Sequence, residues 1–178
     1  MIKFLRKIKN KLLVSFPIDD KKYITKKYKK LIGKNLNLNN PLNFTEKIQY
    51  LKLNERSNLI TKCADKYLVR NYVKNQIGET YLIPQLLVVD NPNLIDFKNL
   101  PKKYVLKSNH GSGHVLIVKD NRVNLFDKWI KFDKNVILKI LKNWLNEDFY
   151  KKNREWEYKN IERKIIVEKY MVDESNNE

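Results

Sequence analysis

The chain has 178 residues, 42% of them hydrophobic, enough for one packed domain and too many for a disordered protein. Its 37 Lys and Arg against 20 Asp and Glu give a net charge of +17, but 31 of the basic residues are Lys. Base-edge readers and phosphate clamps favour the bidentate fork of Arg, so the charge reads as a solvated Lys-rich surface, and nucleic acid is not expected as a partner.

One cysteine, Cys63, excludes an internal disulfide, and with only two histidines there is no zinc framework of recognisable spacing. A reducing, cytoplasmic setting is expected. No run of eighteen apolar residues occurs, so no transmembrane helix is expected. At the N-terminus, Ile2, Leu5, Ile8, Leu12 and Leu13 share a helical face surrounded by Lys and Arg. Residues 1–14 therefore read either as an interfacial helix touching a membrane peripherally or as an ordinary amphipathic helix.

After the turn-prone KNLNLNNP, Asn43 stands three residues before Glu46, which predicts a capping box and a helix over 44–53 burying Ile48 and Leu51. A second helix is predicted over 58–76, with Ile60, Ala64, Tyr67, Leu68 and Tyr72 as its stripe and Gly78 to end it. YLIPQLLVV at 81–89 reads as a strand, and Pro84 confines it to an edge or a bulge. Residues 103–107 and 115–118 read as two strands of an antiparallel hairpin. DNRVN at 120–124 is predicted as a turn, and 127–160 as helical around Ile137, Ile140, Leu141, Trp144 and Leu145. A last strand is predicted over 164–172, with Glu168 in its middle.

The chemistry-bearing residues gather around the hairpin. Lys107 ends an apolar strand, and a buried ammonium needs an anion. The following SNHGSGH holds half of the four glycines and both histidines, and its backbone N–H groups are able to close over phosphate oxygens. It is neither a Walker A motif nor GxGxxG, and a mobile hairpin tip with an exposed lysine remains the alternative. Glu168 is either a solvated edge residue or the partner of donors in a pocket. Lys66 and Arg70, four apart on a predicted helix, either present two charges to a phosphate or are surface charges, with Asp65 satisfying Arg70 or a helix end.

Four ordered segments, LNFTEKIQYLKL, CADKYLVRNYV, LPKKYVLKSNHGSGHVLIV and IIVEKYM, resemble the TupA-like ATP-grasp family of cell-surface polysaccharide biosynthesis over roughly 41–173. The resemblance implies an α+β fold: a basic helical region at 1–57, then a partial ATP-grasp domain at 58–178 whose short antiparallel sheet carries the glycine-loop hairpin. It implies ATP as cofactor, with Lys66 and Lys107 on the phosphates. His110, Gly111, Ser112 and Gly113 would lie in the phosphate cover, and Glu168, Lys169, Tyr170 and Met171 would form the hinge that holds adenine.

The reaction implied is carboxylate–amine ligation through an activated carboxylate; some members are labelled glycosyltransferases, although no DxD motif occurs here. The family's second ATP-grasp half, with its magnesium ligands, would follow the hinge. Mg2+ is therefore expected only if a companion polypeptide supplies that half, and turnover by the chain alone is not expected. The alternative functions are a glycosyltransferase of capsule or lipopolysaccharide synthesis and a non-catalytic basic protein on a membrane or nucleic acid.

Overall fold

The computed structural model describes residues 19–172, so the amphipathic stretch expected at 1–14 lies outside the described residues. The chain divides into two units, 1–55 and 56–178. No helix among the described residues is long and apolar enough to cross a membrane.

In the first unit, helix α1 (Asp20–Ile32) starts where the Asp19 carboxylate accepts from the N–H of Lys22 at 2.8 Å. It ends at Gly33, whose φ of 78° is left-handed and favours glycine. Ile24 and Tyr28, one turn apart, are its buried side chains. Helix α2 (Phe44–Asn54) opens with the expected capping box between Asn43 and Glu46. Its burial differs from expectation: Leu51 is exposed and Ile48 half-buried, while Glu46 is buried. The segment ahead of α2 folds back and needs an acceptor, so the Glu46 carboxylate takes the N–H groups of Leu42 at 3.1 Å and Asn37 at 3.4 Å.

The second unit contains helices α3 (Asn58–Ala64) and α4 (Val69–Ile77), then strands β1 (Gln85–Val89), β2 (Lys103–Ser108), β3 (Val115–Lys119), β4 (Arg122–Leu125) and β5 (Lys128–Lys131). Helices α5 (Lys134–Asn146) and α6 (Phe149–Asn153) and strand β6 (Ile165–Lys169) complete it. The six strands form one antiparallel sheet in the order β1-β6-β2-β3-β4-β5.

Strand periodicity gives the sheet two faces. On one, Tyr104, Leu106, Leu116, Val118, Ile165 and Val167 form a single cluster with Ile137 and Leu141 of α5. Ile140, Trp144 and Leu145 pack against it, as the expected stripe required. The opposite face carries Val105 and Lys107 of β2, Val115 and Ile117 of β3, and Ile166 and Glu168 of β6.

Other expectations also need correction. The helix expected over 58–76 is interrupted, because Asp65 is drawn inward, and its stripe residues Ile60, Tyr67, Leu68 and Tyr72 are not buried, staying 36–40% exposed. The turn expected at 120–124 shrinks to Asp120 and Asn121, both at positive φ, so that β4 already begins at Arg122. This two-residue left-handed connection matches the twist of a hairpin, and Asp and Asn tolerate it best. Phe126 and Asp127 repeat it into β5, so α5 begins only at Lys134, capped by Asp133.

The strand expected over 81–89 begins at Gln85, after a 3-10 turn at Glu79–Tyr81. It is an edge strand with a register shift between Gln85 and Leu87, consistent with the proline before it.

Candidate functional site

The open face of the sheet is where charge is buried. Glu168 lies opposite Val105 on β2 and Gln85 on β1, only 7% exposed. A carboxylate removed from water must be paired, and here each oxygen meets a cation. Lys107 Nζ donates to Oε2 at 2.6 Å, and Arg70 places a guanidinium nitrogen 3.7 Å from Oε1. The other terminal nitrogen of Arg70 donates to the Ile83 carbonyl at 2.7 Å. The sequence singled out Lys107 as an ammonium in need of an anion and left Glu168 as a solvated edge residue or a partner for donors; the structure pairs the two. Arg70 points at the carboxylate and shares no continuous helix with Lys66.

The break between α3 and α4 positions Lys66. Asp65 is 2% exposed, and its Oδ1 accepts from the N–H groups of Tyr67 at 2.8 Å and Leu68 at 3.3 Å, closing the start of the next helical segment. The same oxygen accepts from Asn109 Nδ2 at 3.0 Å. Of the two roles the sequence left open for Asp65, the helix end is the one it takes. The Lys66 N–H then donates to the Asn109 carbonyl at 3.1 Å, and its ammonium donates to the Gly111 carbonyl. Burial, and after it the neighbouring Lys107, push the Lys66 pKa below the usual lysine value, while Asp65 and Glu168 act the other way.

Asn109 was not picked out from the sequence, yet it organises the loop root. It is fully buried, donates its N–H to the Lys164 carbonyl at 3.0 Å and accepts from the Lys164 N–H at 2.7 Å. Its amide also donates to the Glu162 carbonyl at 2.8 Å. The loop is thereby tied to the segment that enters β6. The only sequence signal was a turn-type residue between an apolar strand and the glycines.

Both histidines turn inward. Burial pushes the pKa of His110 to about 4, so the ring is neutral near pH 7, and Nε2 donates to the Trp144 carbonyl at 3.0 Å. His114 is likewise held at about 4, first by burial and then by Lys152 and Lys66. Its Nε2–H donates to Glu147 at 2.8 Å, leaving Nδ1 to accept from the Ser108 hydroxyl at 2.8 Å. Lys152 pairs with the other oxygen of Glu147, and the His114 ring stacks on Trp144 at 5.0 Å with 5° between planes. Ser108, His114 and Glu147 thus share the residue types of a hydrolase triad, but Ser108 is fully buried and has no access to a substrate.

The glycines serve this packing. A Cβ on Gly111 would collide with the His114 ring and lie 3.0 Å from Ser108 Oγ. Gly113 has a φ of 78°, a left-handed conformation that favours glycine. Only Ser112 and Gly113 of the loop are exposed.

Past Glu168, the Lys169 N–H donates to the Pro84 carbonyl at 2.9 Å. Tyr170 and Met171 then leave the ladder, with Met171 55% exposed. Tyr170 lines a groove of about 620 Å³ with Ile117, Asn124 and Trp129, which share the open face.

Comparison with known families puts the chain among ATP-grasp-type proteins, and the strand lysine beside a glycine loop, with a carboxylate near the end of an adjacent strand, is the arrangement that the resemblance implied. The family model described as TupA-like ATPgrasp matches residues 46–178, most of the chain, and the protein belongs to that family. No curated protein and no solved structure matches the chain.

Proposed function

We propose that the protein binds ATP on the open face of its sheet, in the service of a carboxylate–amine ligase-like reaction of cell-surface polysaccharide biosynthesis. The observation that carries the binding site is that Lys107 pairs with Glu168 on the open face while Lys66, near enough for Lys107 to lower its pKa, holds the Gly111 carbonyl of the glycine loop. The reaction class and the polysaccharide setting are what membership of the family suggests.

Lys107 and Lys66 meet the phosphates. Each is engaged in the free protein, Lys107 by Glu168 and Lys66 by the Gly111 carbonyl, so phosphate oxygens replace acceptors that already hold the ammonium groups in position. Ser112 and Gly113 form the part of the loop free to cover them, while Asn109, His110 and His114 keep its roots fixed. Val105 and Ile117 offer an apolar bed for the base, beside the main chain of residues 168–171. Gln85, opposite Glu168, has a buried side-chain oxygen without a hydrogen-bond partner, an acceptor suited to an amino-bearing base.

When bound, ATP supplies the phosphoryl group that activates a carboxylate for attack by an amine. The protein's part is charge neutralisation and positioning. Among the described residues no three His, Cys, Asp or Glu side chains converge to hold a metal ion, and Glu168 is already taken by two cations. The described residues therefore do not fit a protein-built magnesium site, and no step is assigned to the metal.

The test is calorimetric titration of the full chain with a non-hydrolysable ATP analogue at moderate salt, beside Lys107→Ala. Saturable binding, weakened about tenfold or more in the variant, is expected from loss of a charged hydrogen bond. Absent binding, or equal binding by both proteins that falls steeply with salt, would instead mark polyanion attraction to a lysine-rich surface.

A further inference from the structure

Two cations share one buried carboxylate, and their attachments differ. Lys107 reaches Glu168 through a single ammonium at the end of an unbranched chain, next to the glycine loop. Arg70 is braced, with one nitrogen near Glu168 Oε1 and the other on the Ile83 carbonyl. Ile83 directly precedes Pro84, whose carbonyl holds the Lys169 N–H, so Arg70 is braced against the chain that fixes the end of β6.

We propose that Arg70 is a positioning residue for phosphate recognition: it keeps Glu168 neutralised and in place while Lys107 leaves the carboxylate for a phosphate oxygen. This rests on the nucleotide site proposed above. Glu168 lies on β6, inside the sheet between β1 and β2, and is only 7% exposed. Once Lys107 moves, an unaccompanied carboxylate would remain buried beside an arriving phosphate, and two anions in a partly dry site repel strongly. Among the described residues, the hydrogen bonds and ion pairs to the Glu168 side chain come from Lys107 and Arg70 alone. Lys66 also feels the Glu168 charge, but its ammonium is held by the Gly111 carbonyl, so Arg70 is the remaining ion-pair partner that offsets this penalty. Its bond to Ile83 keeps it from following the ligand, and a guanidinium keeps its charge at any pH the protein meets.

This assignment differs from direct contact between Arg70 and phosphate, and a double-mutant cycle separates the two. The full chain is titrated with a non-hydrolysable ATP analogue as wild type, Arg70→Met, Glu168→Gln and the double variant, with Arg70→Lys in both backgrounds. Arg70→Met should weaken binding about tenfold and Arg70→Lys should recover part of the loss. In Glu168→Gln, where no carboxylate needs a partner, either Arg70 change should alter affinity less than about twofold.

Equal losses in both backgrounds would make Arg70 a direct phosphate ligand and overturn the proposal; so would wild-type affinity in Arg70→Met. A wild type that does not bind would remove the nucleotide site itself, a different result from saturable binding indifferent to Arg70. Thermal unfolding of each variant identifies any that fail to fold. If Arg70→Met is among them, the Arg70→Lys pair carries the same comparison.

Discussion

Gly111→Ala tests whether the loop is shaped by its own packing. The added Cβ would collide with the His114 ring, which is held by Ser108 at 2.8 Å, by Glu147 at 2.8 Å and by stacking on Trp144 at 5.0 Å. Moving the ring forfeits those contacts, and overpacking of this kind costs ~1–3 kcal/mol. Alanine also restricts the unfolded chain, which returns ~0.4–1 kcal/mol. The net loss is about 1–2 kcal/mol, a fall in Tm of roughly 5–10 °C for a unit of this size.

The assay is thermal unfolding followed by circular dichroism, repeated in a His114→Ala background. There the collision with the ring is gone and the Ser108 hydroxyl, released from His114, is able to rotate away from the new Cβ, so Gly111→Ala should become close to neutral or slightly stabilising, giving a coupling of about 1–3 kcal/mol. Gly113→Ala is the control. Its Cβ meets nothing within 4 Å, and its cost comes from a φ of 78°, so it should be the same in either background. If Gly111→Ala costs as much without His114 as with it, the packing account is refuted.

Three further outcomes follow from the geometry. Both histidines have folded pKa values of about 4, depressed from 6.5, so the unfolded chain binds more protons between those values. Their stabilisation should be complete above about pH 6.5 and fade as pH falls through 4, by roughly 1–3 kcal/mol per ring; imidazole nitrogen NMR at pH 6 should find both neutral with Nε2 protonated, and titration of either ring near 6.5 would contradict this. Leu141→Ala, at a fully buried position of α5, should lower the urea midpoint by the equivalent of ~2–5 kcal/mol with an unchanged m-value. Asp65→Ala removes the acceptor shared by Tyr67, Leu68 and Asn109 and should cost about 2–4 kcal/mol, with Asp65→Asn costing less; hydrogen exchange should report faster exchange at Tyr67 and Leu68 in Asp65→Ala, and unchanged protection there would count against this role.

Where one interaction dictates local structure, the sequence was a good guide. The Asn43–Glu46 capping box, the β2–β3 hairpin and the Ile137–Leu141 stripe rest on spacing alone, and spacing survives tertiary context. The helix over 58–76 failed because its break is set by Asn109, more than forty residues away, which draws Asp65 inward. Strands β4 and β5 were hidden by their short turns. Asp120-Asn121 was a usable hairpin signal, whereas Phe126 is not a residue that suggests a left-handed turn.

At the site, no periodicity relates Lys66, Lys107 and Glu168; their grouping came from family resemblance. The bracing of Glu168 by Arg70, and the inward turn of both histidines, depend on β6 entering between β1 and β2 and on the end of α5 meeting the loop. Neither is encoded within a local window.

The place of β6 also bears on how the protein is made. Strands β1 and β2 are consecutive in the chain but are not neighbours, because β6, the last strand of the sheet in chain order, lies between them. During synthesis the β2–β3 hairpin closes from local contacts, while the backbone of residues 104–108 on the other edge of β2, in a strand that carries the apolar Tyr104 and Leu106, waits for residues 165–169 to emerge. For that interval a nascent chain presents an unpaired apolar edge, the feature most prone to wrong pairing and to chaperone capture. Pulse-labelled hydrogen exchange during refolding should accordingly find the β2–β3 amides protected first and those of β1 last.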